Sequence, residues 1–324
     1  MCEMTKVKVV IVNFNSSSDT IECLSSLLDA TYKYFQVFVV DNSPSAEPAA
    51  CIAKWAEHRF SNTEEGLDKW FTLVAEDSFA AQEYHQKLVL IKANENKGFA
   101  AANNIVLRYM LTRPEYAFVW ALNNDTFVPA DSLEKLVNAF NEQPASVGIL
   151  GTALLYHHNP DLIQGLGGKF NKWFATAVHL AEGTPAAELH KFADIEIDYP
   201  IGASMCVRRE FLEDVGLMNE EYFLYFEEMD WVRRGQAKGW QFKTSVEVKV
   251  LHKEGASIGT GAPMKRSGLA DYYGVKNRLV FARNYHKMQL PTVYFGIGLA
   301  LVNRIRRGQF AMALNVCKIL LAVK

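Results

Sequence analysis

Three carboxylates crowd one short aromatic stretch, FLYFEEMDW at residues 223–231: Glu227, Glu228 and Asp230. Acids in apolar company are costly to ionise, so their pKa values rise, and a carboxylate raised toward neutrality can take a proton from an alcohol. The competing reading is architectural, because acids in a first helical turn suit the positive end of the helix dipole.

A second set of polar residues closes a series of apolar runs: Asn13 and Asn15, Asp41 and Asn42, Asn94 and Asn96, then Asn123, Asn124 and Asp125. In an open α/β sheet, ligands bind beyond the carboxyl ends of the strands, so these side chains are expected to converge. Any one of them alone suits an Asx turn. A hard divalent cation bridging phosphates needs only one or two protein carboxylates, which Asp125 can begin to supply. His252 ends the alternating run VEVKVLH; a lone histidine is more often structural than a ligand, and its place between a strand and a Gly-containing loop narrows that gap. In NENKGFAAANN, Lys97 and Gly98 stand at a loop-to-helix junction where free amides can meet a phosphate, although neither the Walker spacing nor GxGxxG is present.

These residues need a frame. VKVVIVNF, FQVFVVDN, KLVLIKAN, AFVWALNND and SVGILGTALL are short apolar runs that read as buried parallel strands. Between the first two, SSSDTIECLSSLLDA places Ile21, Leu24, Leu27 and Leu28 at helical spacing, which makes a βαβ unit. PADSLEKLVNAF predicts a capped helix from Asp131 or Ser132. Residues 44–87 predict a helix plus a partly exposed insertion, and 157–198 predict loops with a small antiparallel element.

The chain has 324 residues, 49% hydrophobic and 22% charged, enough for one large α/β domain with an appendage or for two smaller domains. Its five scattered cysteines form no CxxC pair, and MCEMTKVKVVIVNFN shows no export pattern; a reducing, cytoplasmic setting is expected. The net charge of −2 hides an asymmetry: no Asp or Glu follows Asp271, whereas Lys and Arg recur. There TVYFGIGLALVN and FAMALNVCKILLAV flank RIRRGQ, and each is shorter than the roughly 20 residues of a membrane span. The pair either packs on the rest of the chain or lies in an anionic membrane surface through Arg304, Arg306 and Arg307.

VVIVNFN, VVDNS, NKGFAAANN, LNNDT, the block from IGASMCVRREF to EEMDWVRRGQAKGW, VLHKEGAS and DYYGVKNRLVFARNY together resemble the family-two inverting glycosyltransferases, especially bacterial rhamnosyltransferases. The blocks run in the family's order over roughly residues 7 to 287, apart from 44–87 and 157–198. The resemblance implies an α/β GT-A fold with a mostly parallel sheet at residues 1–265 and a basic helical extension at 266–324. It also implies a nucleoside-diphosphate sugar donor and a divalent metal, Mg2+ or Mn2+.

By the same resemblance Asp41 holds the nucleotide base, and Asn13, Asn15, Asn96, Lys97, Gly98, Asn103, Asn123 and Asn124 form the donor pocket. Asp125 and His252 hold the metal, with Asn123 in place of the first carboxylate of the family's DxD motif. Glu228 is the general base, although Glu in place of the usual Asp leaves Asp230 as its rival, with Glu227 beside them. Tyr225 and Trp231 are candidate sugar-stacking walls, and Gly202 and Ala203 either admit the acceptor or form a packed turn. The expected acceptor is a glycan or lipid-diphosphate glycan hydroxyl at the inner membrane face; no nucleic-acid partner is expected. TDP-rhamnose leads among donors and UDP-hexoses stay open. The alternatives are a sugar nucleotidyltransferase, against which NFNSSSD lacks the Gly-rich, Arg-containing loop, and an inactive glycan- or nucleotide-binding module.

Overall fold

The computed structural model describes residues 5–61, 63, 66–113, 115–253 and 268–322. The end of VLHKEGAS lies outside these residues. β1 (Val7–Asn13), α1 (Ser17–Leu28) and β2 (Phe35–Asp41) form the expected βαβ unit with parallel strands. Every residue of both strands is buried, as helices on both faces of a sheet require.

After α2 (Glu47–Phe60) and α3 (Leu67–Trp70), the chain adds β3 (Phe71–Ala75) before α4 (Glu76–Phe79) and β4 (Leu88–Lys92). The stretch 44–87 is therefore more than a helix and an insertion: β3 is a parallel edge strand on β4. Its signal is weak because Leu73 faces solvent, as edge positions allow. α5 (Phe99–Leu111), β5 (Phe118–Asn123), β6 (Thr126–Phe127), α6 (Ser132–Asn141) and β7 (Val147–Tyr156) follow. α6 starts where expected but without a side-chain cap; Ser132 Oγ instead donates to Lys249 O at 2.7 Å.

β8 (Asn159–Gly165) folds back on β7, and β9 (Gly168–Asn171) with β10 (Thr176–His179) makes the small antiparallel element. β11 (Ser204–Arg208), α7 (Arg209–Val215), α8 (Glu227–Gln236) and β12 (Gln241–His252) complete the sheet. Its order is β3-β4-β2-β1-β5-β11-β7-β12-β6, with β8 beside β7. β11 runs antiparallel between β5 and β7, and β6 and β8 pair antiparallel with β12 and β7, so the expected parallel succession is interrupted.

Last come α9 (Gly268–Tyr285), α10 (Leu290–Arg306) and α11 (Phe310–Ala322). Leu279, Val293, Ile297 and Val316 give these helices a small core of their own. Val280 and Phe281, from another side of α9, pack into the main core with Tyr222, Phe226 and Trp231. α9 is thus shared between the main core and the C-terminal helices.

Candidate active site

The sheet register brings the polar strand ends together: Asn13 lies opposite Asp41, Asp41 opposite Lys92, and Val12 opposite Asn123. The buried Asp41 accepts from Asn13 Nδ2 at 2.7 Å, Ser43 Oγ at 2.6 Å and Lys92 Nζ at 2.9 Å. Asn13 Oδ1 in turn accepts from Thr20 Oγ1 at 2.7 Å. Charge-assisted bonds of this kind make a rigid platform, but neither Asp41 nor Asn13 lines the cleft above it. Asn103 is also interior, donating to Phe99 O at 3.0 Å, and Asn15 is exposed.

The phosphate-cradle reading of NKG does not hold in this structure. Gly98 N donates to Asn96 Oδ1 at 3.0 Å and Phe99 N to Phe223 O at 2.7 Å, so these amides are already engaged. Lys97 is exposed and pairs with Glu95. What Gly98 does is admit another segment: its φ is +96°, and a Cβ there would stand 2.2 Å from Phe223 O.

Beyond the sheet edge opens a cleft of about 760 Å³. Asn96, Gly98, Asn123, Asn124, Asp125, Tyr225, Glu228 and His252 reach it from the expected set, together with Asn42. Asn124 Nδ2 is tied to Thr20 Oγ1 at 3.0 Å. α9 and α10 supply the far wall through Asp271, Arg278 and Arg304.

Asp125 and His252 meet in this cleft, with Oδ1 and Nε2 3.2 Å apart. His252 Nδ1 faces Gln164 Oε1 at 2.7 Å. With Nδ1 as donor to that oxygen, the Nε2 lone pair points at the carboxylate, an arrangement suited to two ligands of one cation. Among the described residues no three His, Cys, Asp or Glu side chains gather as a metal site. A divalent ion therefore fits only as one held by Asp125, His252, phosphate oxygens and water, the sparse protein shell that Mg2+ accepts.

The acids of FLYFEEMDW separate into different tasks. Tyr225 and Phe226 carry φ of 68° and 75°, a left-handed pair that turns the chain into α8. Such positions cost about 1–3 kcal/mol each and persist only when neighbours hold them. Here Asn277 of α9 donates to Leu224 O at 2.8 Å and Tyr225 O at 3.0 Å, while Phe99 N holds Phe223 O. The turn puts Glu227 and Glu228 in the first turn of α8, so the dipole reading and the cleft reading are both met.

Asp230 is buried and engaged by Arg234 Nε at 2.8 Å and Tyr285 Oη at 2.6 Å. It does not line the cleft, and both of its oxygens are engaged, as a packing anchor's are. Glu228 lines the cleft, and its Oε2 has no hydrogen-bond partner among the described residues. Burial, eased by nearby backbone amides, pushes its carboxyl up to about 7. Glu227 is buried behind it; burial and the Glu228 charge hold its pKa well above the ordinary carboxylate value.

Trp231 offers no face to a sugar: it is fully buried and its Nε1 donates to Gly216 O at 2.8 Å. Gly202 packs beside Glu228, where a Cβ would make ordinary contact at 3.8 Å. Ala203 is buried and its carbonyl accepts from Asn123 N at 2.9 Å, so this pair is a packed turn.

The sequence profile described as Glycosyl transferase family 2 matches residues 75–215, from β3 to α7. Residues 75–215 are thus similar to a family-two glycosyltransferase domain. It is 21% identical over 248 residues to the low-salt glycan biosynthesis hexosyltransferase Agl10 of Haloferax volcanii, covering 76% of this chain and 67% of that one. It is 24% identical over 210 residues to the dTDP-rhamnosyl transferase RfbF of Shigella flexneri, covering 62% of this chain and 65% of that one. The chain thus spans about two thirds of the length of each curated relative. Among solved structures, the mannosyltransferase PcManGT from Pyrobaculum calidifontis, in complex with GDP-Man and Mn2+, superposes with a TM-score of 0.55 at 13% identity. That superposition covers 99% of this chain and 87% of the mannosyltransferase, and it shows the GT-A fold.

Several residues of this glycosyltransferase site escaped sequence reasoning. Gln164 sits in β8, where a polar residue in the run LIQG was the one available sign. Asn277 and Arg278 lie in a motif that announced a family but no role. Long-range contacts such as Asn277 to Tyr225 leave no local trace.

Proposed function

We propose that this glycosyltransferase transfers a sugar, with inversion, from a nucleoside-diphosphate sugar to a hydroxyl of a glycan or lipid-linked glycan. The observation that carries the reading is Glu228: a cleft-lining carboxylate with an unbonded oxygen and a pKa near 7, in the same cleft as Asp125 and His252. At neutral pH a substantial fraction of Glu228 is ionised and able to take the acceptor's proton as its oxygen attacks the anomeric carbon. Attack from that side expels the nucleoside diphosphate in one displacement. Asp125 and His252 would hold a divalent cation, which supplies charge stabilisation to the departing diphosphate. Asn123 and Asn124 bind beside them, and Asn277 keeps Glu228 aimed.

The names of the two curated relatives favour a hexose or a dTDP-rhamnose donor; UDP-hexoses stay in the test set. Among the described residues no helix is long and apolar enough to cross a membrane. The proposal instead lays the outer faces of α10 and α11, where Phe295, Leu299, Phe310 and Leu314 are exposed, on the anionic cytoplasmic leaflet. Co-sedimentation of the full chain with anionic but not neutral vesicles, reduced in Phe295→Gln/Leu299→Gln, is expected; a chain that never sediments overturns this placement.

The deciding assay incubates the protein with nucleotide sugars, Mg2+ or Mn2+ and candidate acceptors. Released nucleoside diphosphate and a product of opposite anomeric configuration, read by NMR, support inverting transfer. Released inorganic diphosphate points to a nucleotidyltransferase, retained configuration removes the single displacement, and no turnover with any donor points to a binding module.

A further inference from the structure

Arg278 is the cationic group of the cleft that the proposed reaction leaves unused. It stands on α9 in the wall facing the catalytic half, and its Nε donates to Phe174 O at 2.6 Å. Its guanidinium lies against α10 at Gly296, where a Cβ would come within 2.6 Å of Arg278 Nη2. The side chain is therefore held from two sides, by the loop between β9 and β10 and by a helix whose glycine makes room for it.

Next to it, Arg304 binds Asp271 through two hydrogen bonds, a closed ion pair. Among the described residues no carboxylate pairs with Arg278, which leaves one uncompensated positive charge on this wall. Burial and the nearby Arg304 both lower its affinity for a proton, so the protein bears a cost in keeping a charge here. A guanidinium offers a planar fork of donors that matches phosphate oxygens, and a fixed one loses little freedom on binding.

We propose that Arg278 is a phosphoryl-binding residue of the cleft, mounted on the wall built by α9, α10 and the Asp271–Arg304 pair. The proposal rests on the transferase reading and deepens it, by naming the chemistry of one ligand contact on the C-terminal side. Two ligands can bring that group: the diphosphate of the donor, or a phosphate carried by the acceptor.

The test is calorimetric and needs no turnover. Wild type, Arg278→Gln, Arg278→Lys and the surface control Arg59→Gln are titrated in Mg2+ buffer with inorganic diphosphate, UDP and dTDP. A second titration adds glucose 1-phosphate to protein saturated with UDP or dTDP. Arg278→Gln is expected to weaken binding about tenfold or more in one arm, the scale of a lost charge-assisted bond, with Arg278→Lys recovering part of it. Loss in the first arm assigns the donor diphosphate, and loss in the second assigns a phosphate-bearing acceptor. The proposal is overturned if wild type binds none of the probes, or if Arg278→Gln matches Arg59→Gln in both arms. Should Arg278→Gln fail to fold, judged by thermal unfolding, Arg278→Lys carries the same comparison, because it keeps the charge and loses the fork. Nucleoside diphosphate release by wild type is measured separately, so a failure of the transferase reading is distinguished from a failure of this site.

Discussion

Asp41, in the platform beneath the cleft, and Glu228, in its lining, are carboxylates that live opposite lives. Asp41, at the end of β2, receives three side-chain donors and does not line the cleft. Glu228, at the start of α8, keeps an oxygen without a partner and holds its proton until about pH 7. The same contrast separates Asp230 from Glu228 within one helix. The difference teaches that filled lone pairs mark scaffold, whereas an under-bonded, shielded carboxylate marks a group kept ready to exchange a proton.

The largest effect should come from breaking the reactive side of this contrast. Glu228→Gln is expected to lower transfer by about 100- to 10,000-fold with donor affinity retained, read by steady-state kinetics and donor titration. Asp230→Asn should instead lower the thermal midpoint, because it weakens the bonds to Arg234 and Tyr285. If Asp230→Asn abolishes transfer with full stability while Glu228→Gln stays active, the two roles must be exchanged.

Next in size are the two proposed metal ligands across the cleft. Asp125→Ala and His252→Ala should each reduce turnover at least about tenfold, roughly 1.4 kcal/mol of barrier, and weaken metal-dependent donor binding. Unaltered metal dependence in both would remove the site. Gln164→Leu, which frees His252 Nδ1, should raise the metal concentration needed for half-maximal activity by about tenfold.

The smallest effect sharpens the contrast through pH. Transfer should rise along an acid limb with a midpoint near 7, set by ionisation of Glu228. Burial is the largest cause of that shift. Glu227 itself has a folded pKa above its unfolded one, so its contribution to stability is complete below about pH 4.3 and declines as pH rises toward the folded value. Glu227→Gln should therefore raise the thermal midpoint at pH 8 and change it little at pH 4.

The strands of the first half were legible because buried apolar runs carry their signal locally, and β1, β2, β4, β5 and β7 lie where those runs are. Edge strand β3 was not, since Leu73 points to water and blurs the pattern. At the site, residue type pointed to Asp125, His252 and Glu228, which do share the cleft. Sequence could not say that Asp41 and Asn13 face each other instead of a ligand, nor that Trp231 is sealed behind Gly216. Those outcomes depend on strand register and on packing between distant segments.

The left-handed pair at Tyr225 and Phe226 has a consequence for how the enzyme is made. As the chain leaves the ribosome, the turn that aims Glu228 is synthesised before Asn277, the residue that clasps its carbonyls. Domains generally fold in the order they are made, so the sheet can assemble while that turn is still free to relax. A nascent chain would thus possess the sheet edge without the fixed turn before Glu228, and the cleft would be complete only once α9 docks.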